Sequence, residues 1–417
     1  MALLAAAPAL YLRFAEPEVP HALAAACFGM AIVGSAFLLS WAAEVAQLDI
    51  SAGLAIGLLA LIAVLPEYAV DLVFAKEGGR AFAKYGTACQ STIDRLAGRD
   101  SPCSLALANM TGSNRLLIGV GWSMVVLVAW WQWRKRGTRI TEVRLERTHS
   151  VEVSFLALAS VYCVIALPLK HTINLIDAAV LISIFVGYTW RLAKAPGEEP
   201  HLVGPARYVG TFSTRARRTT VVGLFVVAAA LIFLCAEQFA DALVATGQTF
   251  GISEFFLVQW LAPLASEAPE LIVAGLYAWR LNTSSGLGTL VSSKVNQWTL
   301  LIGTLPIAFS AFGGTLHGLP IGTGQREELL LTAAQSVFAV AVLANLSLTT
   351  KEAATLATLF WAQFLLGAFL PEHLHGIERI AFSGIYLVLA AGVVLRQGNM
   401  RALLTDGFRT PYADMKQ

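Results

Sequence analysis

What most constrains this chain is a succession of apolar stretches, each close to the length a helix needs to cross a bilayer and joined by short polar links. They fall near residues 22–45, 51–75, 103–132, 151–168, 173–192, 219–245, 253–280, 285–312, 328–348, 353–370 and 377–396, eleven in all. Hydrocarbon offers no water to backbone N–H and C=O groups, so such segments must satisfy them internally, as helices do. With 57% apolar and 13% charged residues, the chain is not an ordinary soluble domain. The fold expected is an all-α polytopic membrane protein of about 11 transmembrane helices.

Basic residues set the orientation. Lys and Arg collect in Arg134–Arg147, in Arg191–Arg218 and after Arg396, that is, after the third, fifth and eleventh spans. The positive-inside rule places all three in the cytoplasm and the amino terminus outside. Residues 2–12 are apolar but too short to span, and no charged leader or cleavage site marks a signal peptide. Compact loops without a large cytoplasmic domain suggest a prokaryotic inner membrane. Residues 76–102 break the apolar pattern with Lys76, Glu77, Arg80, Lys84, Asp94, Arg95, Arg99 and Asp100, and read as an external amphipathic insertion. The five cysteines, at 27, 89, 103, 163 and 235, have no metal-ligand spacing; Cys89 and Cys103 flank the external loop, where a disulfide can form.

Within the seventh span, Glu267 and Glu270 share a helix face and are flanked by Pro263 and Pro269. Unpartnered carboxylates in hydrocarbon would cost several kcal/mol each, and prolines free backbone carbonyls nearby, so the combination points to a bound cation. The alternative is ion pairing that only holds the bundle together. The second span has the same combination in Pro66 and Glu67, with Asp71 one turn on. The third opens with a polar, small-residue patch of Asn109, Thr111, Gly112, Ser113 and Asn114. No nucleophile with a base, phosphate loop, cofactor motif or nucleic-acid-binding feature occurs in the spans, which argues against an enzyme and leaves inorganic cations and the lipid bilayer as partners.

A segment with Pro196, Gly197, Pro200, Gly204 and Pro205 divides the chain, and the second half repeats the first. IFLCAEQFADAL, with Glu237 and Asp241, matches FLLSWAAEVAQL, with Glu44; GISEFFLVQWLAPLASEAPELIVAGL matches DISAGLAIGLLALIAVLPEYAVDL; GTLVSSKVNQWTLLIG matches ALANMTGSNRLLIGVG. Glu67 and Glu270 are 203 residues apart, Ser113 and Ser293 180, and the extra 23 fall in the external insertion. Five spans per copy invert the second relative to the first. The expected organisation is a first inverted repeat at 22–192, a cytoplasmic linker at 193–218, a second inverted repeat at 219–370, and an extra C-terminal helix and cytoplasmic tail at 371–417. A repeat of this kind implies a central site alternately open to either side.

At these residues the chain resembles the calcium/cation antiporter superfamily, the sodium/calcium exchanger membrane region. That family carries a G-T-S-L-P-E-like motif followed by a G-N-x-x-G-S-N-like motif in each repeat; here they read IAVLPE then LANMTGSN, and ASEAPE then GTLVSSK. The resemblance implies that Glu67 and Glu270 are the central cation-binding carboxylates. It further implies that Ser113, Ser293, Ser266 and Gln297 contribute side-chain oxygens, with Glu267 at a position that is usually serine. Asp71, Asn109 and Asn114 are expected to support them. The transported ions would be Ca2+, Na+ or H+, and no cofactor is implied.

Departures bear on the ion. Ala63 and Val64 replace the first repeat's hydroxyl pair, Leu117 stands opposite Gln297, Lys294 replaces asparagine, and Arg115 follows Asn114. Three carboxylates less Lys294 suit one divalent or two monovalent ions; if Arg115 also points inward, a monovalent ion fits better. Lys294 can exchange a proton or form an ion pair with Glu237, Asp241 or Glu267; Arg115 is expected to pair with Asp71 or Glu44. The function expected is a secondary active cation antiporter, Ca2+ for Na+ or H+. A monovalent cation/proton exchanger and a non-transporting scaffold or sensor plugged by Lys294 are the alternatives.

Overall fold

The computed structural model describes residues 2–49, 65–86, 89, 102–195, 202 and 204–415. In the first half it has helices α1 (Ala2–Ala15), α2 (His21–Ala46), α3 (Leu65–Tyr85), α4 (Pro102–Leu116), α5 (Ser123–Lys135), α6 (Ser150–Ala166) and α7 (Leu175–Leu192), with strands β1 (Glu142–Arg144) and β2 (Thr172–Ile173). In the second half it has α8 (Pro205–Gly210), α9 (Thr214–Phe250), α10 (Glu254–Trp279), α11 (Thr283–Asn296), α12 (Ile302–Gly313), α13 (Thr323–Val342), α14 (Thr350–Phe369), α15 (Glu372–Gln397), α16 (Met400–Phe408) and α17 (Tyr412–Met415), with β3 (Leu319–Pro320) and β4 (Ser347–Thr349).

Among the described residues, nine helical stretches are long and apolar enough to cross a membrane. The helix α10 is not one of them although it has 26 residues, about 39 Å at 1.5 Å per residue, because its carboxylates lower its hydropathy. Most of the remaining expected span, 51–64 with Ala63 and Val64, lies outside the described residues. So do residues 90–101 of the insertion and Pro196, Gly197 and Pro200 of the linker.

The opening of the expected insertion is helical, since α3 continues to Tyr85. Its Ala, Lys, Glu and Arg residues favour helix, and Gly78 and Gly79 are buried while Arg80, Ala83 and Lys84 are exposed. Within the expected linker Pro205 opens the short α8, and α9 starts at Thr214 and runs 37 residues to an αL cap at Gly251.

The chain packs into two compact units, one of Met1–Asn109 with Thr189–Pro269 and one of Met110–Tyr188 with Glu270–Gln417. In the first, α2 lies along α9 with α1 beside it. Gly29 lies at their close approach, where an added Cβ would be 3.1 Å from the Phe239 ring. Ala42, Val45 and Ala46 pack on Ala206 and Val221. Beside this cluster Arg217 grips Asp49 with two bonds of 2.7 and 2.8 Å, holding the Asp49 carboxyl below the usual carboxylate range. Lys76 pairs with Glu237 at 2.9 Å, and a disulfide joins Cys89 to Cys103 at the start of α4.

In the second unit α13 packs against α15 and α6, and α14 against α5. Two small antiparallel pairings tie loops together: β1 to β4, with Val143 opposite Leu348, and β2 to β3, with Ile173 opposite Leu319. Each joins loops that the count of spans puts on the same side of the membrane. The carboxy-terminal residues, expected as a tail, form α16 and α17; α16 packs on α6.

One backbone feature repeats. Between α4 and α5 the helix passes through a π-helical segment, Leu117–Trp122, and between α11 and α12 through another, Gln297–Leu301. They start 180 residues apart, the separation of Ser113 and Ser293. Within the first, Gly119 lets Phe360 of α14 pack against the backbone, where an added Cβ would lie 2.3 Å from Phe360 Cγ.

Candidate cation site

In the first unit, Glu67 follows Pro66 in the first turn of α3 and is 1% exposed. Proline is well placed there, since first-turn N–H groups have no helical acceptor. One turn on, Asp71 is equally buried and accepts a 2.8 Å hydrogen bond from Asn109 Nδ2. The same unit holds Ser266 and Glu267 on α10, both buried. Ser266 Oγ donates to the carbonyls of Ala262 and Pro263 at 3.2 and 3.3 Å. Pro269 offers no N–H to the Ala265 carbonyl, which leaves a backbone oxygen next to these side chains in sequence.

The second unit holds Glu270, half-buried, together with Ser113, Asn114, Ser293, Lys294 and Gln297, all buried. The structure brings two of these into direct contact. Lys294 Nζ donates to Asn114 Oδ1 at 2.7 Å and to the Asn114 carbonyl at 3.0 Å, and lies 4.4 Å from the centre of the Trp298 ring. Asn114 Nδ2 in turn donates to the Met110 carbonyl at 2.8 Å. An ammonium that is fully buried loses its hydration, and two oxygens with an aromatic face replace part of it. Asn114 and Lys294 occupy equivalent places in the two repeats, so each meets its counterpart, as residues near a two-fold axis do.

Arg115 turns elsewhere, and this corrects the expected pairing with Asp71 or Glu44. Its Nη2 lies 2.7 Å from Glu328 and its Nη1 donates to Gln363 at 3.0 Å. Arg379 bonds Glu328 from the other side at 2.8 Å and Glu327 at 3.4 Å. This buried network ties the last long helix, α15, to α13 and α4. Likewise Glu237, one anticipated partner of Lys294, is engaged by Lys76.

The π segments, the Lys294–Asn114 contact and the Arg115 network are not among the features the sequence predicts. Only the second had a visible signal: two polar residues at the same offset in inverted copies can meet at the axis relating them.

The family model described as sodium/calcium exchanger protein matches residues 21–194 and 220–395. The chain belongs to the sodium/calcium exchanger protein family. Each matched stretch contains one of the two repeats. The crystal structure of an H+/Ca2+ exchanger, CAX, is similar at 38% identity and a TM-score of 0.85, covering 100% of this chain and 96% of that one. Native YfkE shares the fold at 16% identity and a TM-score of 0.58, covering 89% and 98%. A selenium-substituted structure of YfkE, titled a Ca2+/H+ antiporter protein, gives 15% and 0.54, covering 94% and 99%. No curated protein sequence matches significantly. This exchanger is thus an integral multi-pass membrane protein with a cation-exchanger fold.

Proposed function

We propose that this exchanger moves Ca2+ against H+, with Glu67, Glu267 and Glu270 as the carboxylates that take up either ion. The observation that carries the choice of a divalent cargo is the pairing of Arg115 with Glu328. It removes Arg115 from the charge count, leaving three carboxylates and Lys294, a net charge that one Ca2+ or about two protons balance. Hard oxygen ligands suit Ca2+; Ser113, Ser266, Ser293 and Gln297 add neutral ones, and Asp71, Asn109 and Asn114 brace them. Lys294, anchored on Asn114, serves as a fixed positive charge that limits how many cations bind. The 38% identity to an H+/Ca2+ exchanger supports protons over Na+ as the coupling ion.

The same reading places the amino terminus outside and the carboxy terminus in the cytoplasm of a prokaryotic plasma membrane. Supporting it, the Cys89–Cys103 disulfide lies in the loop assigned to the oxidising exterior, opposite the basic loops.

The test is 45Ca2+ uptake into proteoliposomes under imposed proton or Na+ gradients, with Glu67→Gln and Glu270→Gln alongside. Uptake driven by a proton gradient and abolished by both substitutions is expected. Uptake driven by Na+ alone would move the coupling ion to Na+, and absence of any flux would remove the transport reading.

A further inference from the structure

The carboxy-terminal segment is fastened to α6 by specific bonds. Arg147, just ahead of α6, donates Nε and Nη2 to the two oxygens of Asp406 at 2.8 and 2.9 Å, and Nη1 to the Asp414 carbonyl at 3.2 Å. Ser154 donates to the Leu403 carbonyl at 3.0 Å. Gly407 lets the helix lie flush, since an added Cβ would fall 2.1 Å from Ser154 Oγ. Leu403, Tyr412 and Met415 are buried beneath it.

From this dock an aromatic row leads to the helix that carries Ser293 and Lys294. Phe408 meets Phe155 edge-on at 5.0 Å, and Phe155 meets Tyr188 at 5.8 Å. The Tyr188 ring is fully buried, and its hydroxyl shares a 2.7 Å hydrogen bond with Ser292 Oγ. Ser292 immediately precedes Ser293 and Lys294 on α11. His149, just ahead of α6, also touches α11, at Gly288, where an added Cβ would lie 2.4 Å from His149 Cε1.

We propose that Tyr188 is a positioning residue for exchange, and that the docked carboxy-terminal helix holds it in place. Successive residues of a helix point about 100° apart, so a bond at Ser292 fixes the rotation that presents Ser293 and Lys294. Phe155, pinned between Phe408 and Tyr188, transmits the docking of α16 to that bond. Arg147 and Asp406 are the latch. This inference rests on the reading of Ser293 and Lys294 as parts of the cation site.

The experiment measures initial 45Ca2+ uptake against Ca2+ concentration for the full-length protein in proteoliposomes, with thermal unfolding of each variant in detergent. Tyr188→Phe keeps the ring and removes the hydroxyl; Asp406→Asn opens the latch; Arg147→Asp combined with Asp406→Arg rebuilds it with reversed charge. Each of the first two is expected to raise the half-saturating Ca2+ concentration about fivefold, the worth of one ordinary hydrogen bond, with maximal rate and unfolding midpoint little changed. Together they should cost no more than one alone, and the charge reversal should restore the wild-type value. An unchanged half-saturating concentration in Tyr188→Phe overturns the proposal. So does a fall in midpoint and maximal rate alone, the mark of a purely structural contact. Wild-type protein that carries no Ca2+ takes down the reading of the site itself, and this role with it.

Discussion

The helices that carry Asn114 and Lys294 are one design executed twice, and they part company in charge. Both run into a π segment at the same offset, and both bury every residue from the motif serine to the start of that segment. The first then sends a cation, Arg115, away to Glu328, whereas the second turns Lys294 toward Asn114 of the first. Backbone symmetry is what an alternating mechanism needs, because each copy must be able to adopt the other's conformation. On the function proposed, side-chain asymmetry would set what the site accepts, because one buried charge more or less changes the charge a bound ion must balance.

Three changes would break or sharpen that contrast. The largest effect belongs to Glu328→Gln, which leaves the Arg115 guanidinium buried opposite a neutral group. A loss of about 3–5 kcal/mol is expected, as for other broken buried pairs, read as a lowered thermal midpoint in detergent. A loss under about 1 kcal/mol would show that Gln363 and the remaining neighbours suffice for Arg115.

Next comes Lys294→Asn, which makes the two motifs alike. Removing one positive charge leaves three carboxylates to balance, so the exchange ratio should rise from about two to about three protons per Ca2+. The ratio is read from the gradients at which net flux reverses. An unchanged ratio would mean that Lys294 does not enter the ion balance.

The smallest effect concerns the latch between Arg147 and Asp406. Hydrogen bonds from Arg147 hold the Asp406 carboxyl below its ordinary range. A carboxyl with a depressed folded-state pKa stabilises above its unfolded value, about 4, and that contribution is lost as pH falls through the lower folded value. Arg147 is 46% exposed, so water and salt screen the pair and the effect is modest. Limited proteolysis should find the segment after Gln397 protected at neutral pH and cut faster below about pH 4, provided an acid-active protease is used. Equal rates at both would show that the latch does not depend on this charge.

Much of the architecture was legible because membrane helices announce themselves locally. Each apolar run, each basic loop and each proline beside a glutamate lies within a few dozen residues, and the same order recurs in the second copy. Cys89 and Cys103 were readable as a possible disulfide for the same reason, being close in sequence on one loop. Arg115 was not, since Gln363, one of its partners, is 248 positions away and nothing local distinguishes an inward arginine from a paired one. The dock of α16 was read as a tail because MRALLTDGFRTPYADM is short and charged, and its apolar residues matter only against α6. The first π segment lies in LLIGVGW, a run that is apolar on every side, so no periodicity betrays its change of turn.

The π segments act as phase shifts. A turn that holds one extra residue winds everything beyond it out of register with an unbroken α-helix, by about 100° per residue inserted. Trp133 and Phe309, buried a few turns past the shift in one copy and the other, face inward on that altered beat. A single-residue deletion confined to one copy would therefore leave two helices that start in step and finish out of step, although every motif residue was still present.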